Sequence, residues 1–225
     1  MTRPSITVLS TAFAAPTETL CRRSVERQTF APREHRYLDA ARQDPPLRAG
    51  RNLFEAFQSL PAEDVIVHLD GDDWLAHREV LAFVAELYRA APALWMTWGS
   101  YERSDGAPGV AGVYEPGENP RDTRWRLSHL KTFRAGLVRH LLAQDLQFPG
   151  RNGSEWTHRS QDLAVMFPLY ELAGPKHRLF VPEILAVYHL SSSFEKNATP
   201  AERNEEASIA RHFRRQPPKA PLEAL

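Results

Sequence analysis

The sequence predicts an α/β fold, with an at least partly parallel sheet flanked by helices, and three observations carry that prediction. Short β-branched runs alternate with amphipathic stretches at helical spacing along the first hundred residues. Val65-Ile66-Val67-His68-Leu69 is a compact, largely apolar run of the kind expected for a strand covered on both faces. It ends abruptly in Asp70-Gly71-Asp72-Asp73-Trp74, an acidic turn placed where open α/β sheets bind their ligands.

The first element is a strand at Ile6-Thr7-Val8-Leu9. Met1 to Pro16 also imitates a signal peptide, with a basic residue, a short apolar run and Ala12-Phe13-Ala14-Ala15. A single Arg and a broken apolar run favour the strand. Leu20, Cys21, Ser24, Val25 and Gln28 then form a stripe at helical spacing. A short second strand is expected from His35 to Ala41, before Asp44-Pro45-Pro46 breaks the chain. Asn52 is read as the N-cap of a helix carrying Leu53, Ala56, Phe57 and Leu60. After the acidic turn, Val80, Val84, Leu87 and Tyr88 mark a further helix, and Ala93 to Tyr101 a strand.

Residues 102–124 show no sustained period and are read as a long loop. Leu127, Leu130, Leu137 and Leu141 suggest a helix from Trp125 to Gln144. Another helix opens at Ser160, carries Leu163, Met166, Phe167 and Tyr170, and stops at Gly174-Pro175. Leu179 to Tyr188 is a strand, or two short ones broken at Pro182. The expected organisation is one domain over 1–197 and a tail over 198–225, helical from Ala201 to Arg215 and then loose.

Composition narrows the function. Twenty-eight Lys and Arg balance 28 Asp and Glu, so no global charge favours nucleic acid or an anionic membrane. No stretch approaches the roughly 20 apolar residues of a membrane span. The single cysteine, Cys21, rules out an internal disulfide and fits a reducing compartment, so the cytoplasm is the expected location.

Asp70, Asp72 and Asp73 crowd the mouth of a strand. Like charges that close repel unless a proton or a cation relieves them, and oxygen ligands favour Mg²⁺ or Mn²⁺. The alternative is a solvated Asp-rich turn that caps the next helix.

The segment Val65 to Leu75 resembles the DxD region of family 2 glycosyltransferases. Ser24-Val25-Glu26-Arg27-Gln28-Thr29-Phe30 resembles that family's first helix. Leu130-Lys131-Thr132-Phe133-Arg134 and Ser160-Gln161-Asp162-Leu163 resemble its acceptor-side elements, and Val181 to Tyr188 its closing strand. The matches run in order over roughly residues 6–196. The resemblance implies a single-domain GT-A-type α/β fold, with a mixed, mostly parallel sheet flanked by helices, a nucleotide-sugar half at 1–101 and an acceptor half at 102–197. It also implies a metal-dependent hexosyl transfer from a nucleoside-diphosphate sugar, expected to be a UDP-sugar, to an unidentified acceptor hydroxyl with inversion.

Site roles follow from the same resemblance. Thr11, Ala12 and Phe13 would line the nucleotide-base pocket, with Asp39 reading the base, although an Asp in a turn is an equal reading of Asp39. Asp70 and Gly71 would meet the nucleotide, Asp72 both the diphosphate and its metal. Asp73 would join the coordination or support it, and His189 would add a metal ligand or contact the diphosphate. Asp162 would be the general base. Its neighbour Gln161 replaces an acidic residue that is usual in the family. Trp125 and His129 would contact the acceptor. Two rivals remain at this stage. A nucleotidyltransferase should carry a Gly-rich basic loop after the first strand, where this chain has Thr11 to Thr19 without Gly, Lys or Arg. A catalytically inactive sugar-nucleotide-binding module is the other, kept open by Gln161.

Overall fold

A computed structural model of the chain describes residues 4–12, 18–39, 49–150, 153–190 and 197–225, with backbone only for Ala12 and Asp39. Phe13 and the Ser191–Ser193 stretch lie outside the described residues. The elements run β1 (Ile6–Ala12), α1 (Glu18–Glu26), β2 (Glu34–Asp39), α2 (Ala49–Ser59), β3 (Val65–Asp70), β4 (Trp74–Leu75), α3 (Val80–Ala90) and β5 (Met96–Arg103). They continue with β6 (Lys131–Arg134), α4 (Ala135–Val138), β7 (Gln147–Gly150), β8 (Gly153–Trp156), α5 (Gln161–Ala173), β9 (Arg178–Tyr188) and α6 (Pro200–Arg215).

Seven strands form one sheet in the order β2-β1-β3-β6-β5-β9-β4. Strand β1 pairs in parallel with both β2 and β3, and β5 pairs in parallel with β9. Strand β6 lies antiparallel between β3 and β5, and β4 is antiparallel to β9. Five strands therefore share one direction, and the carboxyl ends of β1, β2 and β3 lie together. The sheet is mixed and mostly parallel, as the resemblance implies. Strand β1 is buried inside it, which is the strand reading of Ile6–Leu9.

Alternation along the strands sorts their side chains onto two cores. Val65, Val67 and Leu69 pack with Cys21, Val25, Val80, Val84 and Tyr88 of α1 and α3. Leu9, Ile66 and Phe133 pack on the other face with Leu53 and Phe57 of α2 and with Phe167 and Leu169 of α5. Ile209 and Phe213 of α6 complete that second core. The chain beyond α6 is held by Lys219, whose amide donates to Glu171 and whose ammonium pairs with Asp145 at 2.7 Å.

Two local expectations are corrected. No helix spans Trp125 to Gln144. Residues 125–130 are irregular, 131–134 form β6, and only the four-residue α4 and a single 3₁₀ turn at Ala143–Leu146 follow. The leucines that mimic a helical stripe are all buried, but only Leu137 is helical, in α4. Insertion of β6 between two strands outweighs any local preference there. Asn52 does not cap α2. It lies inside the helix, buried, with neither side-chain polar atom hydrogen-bonded. Of the two readings of Leu179–Tyr188 the single strand holds: β9 runs unbroken through Pro182, and the register against β5 shifts there, Gly99 facing Val181 and Ser100 facing Ile184.

Candidate active site

Residues Ile66, His68 and Asp70 alternate onto one face of β3, and the last of them stands at the strand's open end. Next door, antiparallel register puts Lys131 of β6 opposite His68 and Phe133 opposite Ile66. His129, two residues before Lys131, continues the same row toward the mouth. From the helical layer, α5 delivers Asp162 in its first turn. The chain reaches that helix through Ser160, whose φ of 52° is left-handed. Ser160 Oγ donates to Glu206 of α6 at 3.1 Å, and Arg159 pairs with Glu202 at 3.0 Å, so α6 holds the turn that aims Asp162.

The result is a compact cluster. Asp70, His129 and Asp162 each offer a ligand atom, and these atoms lie within 4.8 Å of one another. Lys131 Nζ donates to Asp162 Oδ1 at 2.5 Å and to Asp70 Oδ1 at 3.4 Å, while its side chain is wholly enclosed. His129 Nδ1 lies 3.7 Å from Asp70 Oδ2 and 3.6 Å from Asp73 Oδ2, buried and without a hydrogen bond. Its ring packs edge-on against Tyr101, with Tyr188 tilted beside it.

Charges in the cluster reinforce one another. Burial is the largest single influence and raises the Asp70 carboxyl, but the opposing influences, led by the Lys131 ammonium and its hydrogen bond, together hold that group well below the usual range. Burial likewise opposes the charge on Lys131, and the carboxylates of Asp162 and Asp70 overcome it and push the ammonium up. Burial, aided by Lys131, pulls His129 down and brings His68 to about 4, so both imidazoles are neutral near pH 7. A neutral imidazole keeps a lone pair that can serve a metal.

The other expected residues fall into three groups. Thr11 pairs with Asp70, and its carbonyl accepts the Gly71 amide at 2.9 Å. Ala12 faces Asp39 in register, so the ends of β1 and β2 bring these backbones beside Asp70. Tyr37 Oη donates to the Gly71 carbonyl at 2.9 Å and steadies the turn. Asp72 is half-buried at the turn. Asp73 is not presented to the opening: it is fully buried, and its Oδ1 accepts the His189 amide at 2.9 Å. Burial, with Asp70 and Asp72 near, pushes its carboxyl well above the ordinary value. The His189 ring packs on Trp74, 5.6 Å between centroids, and stands outside the ligand cluster. Trp125 packs edge-on against Phe167, among the residues of the second core.

Lys131, Tyr101 and Tyr188 were not singled out by sequence reasoning. The signals for Lys131 are its place in the Leu130–Arg134 stretch that resembles an acceptor-side element and a cation in the β-like run Lys131-Thr132-Phe133. The donor set of two carboxylates and a neutral imidazole suits a hard divalent ion such as Mn²⁺ or Mg²⁺, and the unsatisfied His129 Nδ1 points among those carboxylates.

No protein-family model and no curated protein matches this sequence. Solved structures do match the fold. Residues 1–349 of Staphylococcus aureus TarS superpose with a TM-score of 0.56 at 15% identity, covering 82% of this chain and 60% of that one. The same protein in complex with UDP-GlcNAc gives 0.57 at 13%, covering 92% and 65%. Mycobacterium tuberculosis glucosyl-3-phosphoglycerate synthase, in complex with Mn²⁺, UDP-glucose and phosphoglyceric acid, gives 0.57 at 13%, covering 92% and 77%. This chain thus spans less than two thirds of the TarS structures it matches. The fold is of the GT-A type. Among the described residues no helix is long and apolar enough to cross a membrane.

Proposed function

We propose that this chain is a glycosyltransferase that takes a sugar from a nucleoside-diphosphate sugar, a UDP-sugar being the expected donor, and passes it to an acceptor hydroxyl. The observation that carries the reading is the convergence of Asp70, His129 and Asp162 at the carboxyl end of β3 in a GT-A-type fold. Two solved proteins of that fold were captured with UDP-GlcNAc and with UDP-glucose plus Mn²⁺ at 13% identity.

The division of labour follows from the cluster. Residues 1–101 form the donor half. Thr11, Ala12, Phe13 and Asp39 take the nucleotide base, and Asp70 and Gly71 take the nucleoside. Asp70 and His129 of the cluster, with Asp72 from the adjoining turn in place of Asp162, which is kept as the base, would hold Mn²⁺ or Mg²⁺. Bound there, such an ion supplies positive charge to the departing diphosphate. Asp73 supports the turn from beneath, and His189 closes the rim against Trp74.

Residues 102–197 form the acceptor half. Asp162 Oδ1 is engaged by Lys131, which leaves Oδ2 as the oxygen that accepts the proton of the attacking hydroxyl. That hydroxyl attacks the anomeric carbon from the side opposite the diphosphate, in one displacement with inversion. The burial of His129 suits it to fixing the donor side and not to recognising an acceptor.

Release of UDP from UDP-glucose and UDP-GlcNAc in the presence of Mn²⁺ tests the reading. Turnover that disappears with chelator is expected. Absence of both turnover and UDP binding would contradict it.

A further inference from the structure

We infer that Lys131 is a positioning residue whose ammonium ties Asp162 of α5 to Asp70 of β3 and thereby fixes Asp162 as the base. The inference rests on the donor reading above and deepens it.

Lys131 occupies a costly position. It sits in the middle of the sheet between β3 and β5, opposite His68, with no part of its side chain exposed. An apolar residue is the ordinary occupant of such a place. An ammonium taken from water there carries a large desolvation cost, and hydrophobic replacements of buried ion pairs are often neutral or stabilising. Stability alone is therefore a poor reason for a lysine at this point.

Geometry supplies a better one. The Nζ reaches two carboxylates from different layers, Asp162 Oδ1 at 2.5 Å and Asp70 Oδ1 at 3.4 Å. Both carboxylates keep a face toward solvent, with side chains 33% and 26% exposed, while the lysine keeps none. A ligand can thus meet the carboxylates but not the ammonium. Without that cation the two carboxylates would face each other as like charges, and the tie that Lys131 makes between α5 and the end of β3 would be lost. Anchoring Oδ1 restricts Asp162 to the orientations in which Oδ2 faces the acceptor side. Asp70 Oδ2 lies 3.7 Å from His129 Nδ1. One enclosed cation thereby sets the relative placement of the donor-holding and proton-accepting groups, the kind of preorganisation on which such chemistry depends.

The experiment compares wild type, Lys131→Met, Asp162→Asn and the double variant. It measures UDP affinity with Mn²⁺ by calorimetry and the rate of UDP release from the better of UDP-glucose and UDP-GlcNAc. Lys131→Met should lower the rate by about 10- to 100-fold, the scale of losing an orienting partner. Its UDP affinity should stay within about 3-fold, because the ammonium does not face the ligand. The double variant should be no slower than the slower single one, since residues acting as a unit are not additive.

Circular dichroism checks folding. If the Met variant does not fold, Lys131→Gln, of similar length and with a polar head, is judged by the same criteria. Additive losses, a fall in UDP affinity matching the fall in rate, or an unchanged rate would each overturn the role. A wild type that neither binds UDP nor releases it from a donor overturns the donor reading and Lys131 with it. A wild type that does both, beside an unimpaired Lys131→Met, overturns Lys131 alone.

Discussion

The backbone amide of His189 donates to Asp73 Oδ1 at 2.9 Å across 116 residues of chain, and so the end of β9 is pinned to the acidic turn that follows β3. Asp73 is the most enclosed of the three turn aspartates, which makes it a fastener of the site's two sides. Removing an acceptor from a buried donor–acceptor pair costs about 1–3 kcal/mol. Asp73→Ala should lose stability on that scale in urea unfolding. A midpoint equal to wild type would contradict the pinning.

Arg121 joins the 104–130 segment to α5 and α6. Its guanidinium meets Glu171 through Nε at 2.5 Å and Nη2 at 3.0 Å, and it also donates to the Phe213 carbonyl. Both partners are almost fully buried. Breaking such a pair by removing one member costs about 3–5 kcal/mol. Arg121→Ala is expected to lower stability by that amount and to loosen α6, as read by amide exchange at Ile209 and Phe213. A loss under about 1 kcal/mol would place the pair with ordinary surface bridges.

His35 Nε2 lies 2.9 Å from Ser10 Oγ, and burial, with Arg22 near, pulls its pKa down to about 4. The unfolded chain then binds more protons than the folded one between about 4 and 6.5, so stability rises with pH across that window. The stabilising contribution is complete above 6.5 and is lost as pH falls toward 4. The melting temperature of wild type minus that of His35→Gln should shrink over this fall. A difference that is flat or widens on acidification would show that His35 is not held neutral.

Asp162→Asn is nearly isosteric and leaves Lys131 with Asp70 as its partner. Losing a general base costs about 10²–10⁴-fold in rate. Transfer or donor hydrolysis should fall by that factor while UDP affinity moves only a few-fold. Activity that survives within a few-fold would reduce Asp162 to a helix-terminal charge, and a collapse of UDP affinity would move it to the donor side.

The parts of the fold that the sequence discloses are those written in local pattern. Ile6–Leu9 and Val65–Leu69 are apolar runs, and both became strands of the parallel core. Asp70 is readable because an acidic turn cuts an apolar run short. Strand β6 is unreadable for the converse reason: four residues hold their place through β3 and β5, which lie far off in the chain. The spacing of Leu127, Leu130, Leu137 and Leu141 satisfies a helical period by coincidence, since they are buried from an irregular stretch, from α4 and from the turn after it. Asn52 misled because a cap residue and a buried amide look alike in sequence. The juxtaposition of Lys131, Asp70 and Asp162 depends on register and on the packing of α5, neither of which a linear pattern records. His129 was legible as a residue of interest but not as a neighbour of Asp70 and Asp73, because its row on the sheet exists only once β6 is in place.

Titration of UDP into the protein by calorimetry, with Mn²⁺ and then with chelator, tests most directly whether the Asp70 cluster is a donor site. Wild type should bind UDP with Mn²⁺ and lose at least tenfold in affinity with chelator, a change of about 1.4 kcal/mol. Asp72→Asn should show the weak value under both conditions. Equal affinity with and without Mn²⁺, or an Asp72→Asn variant that binds like wild type, would contradict the account.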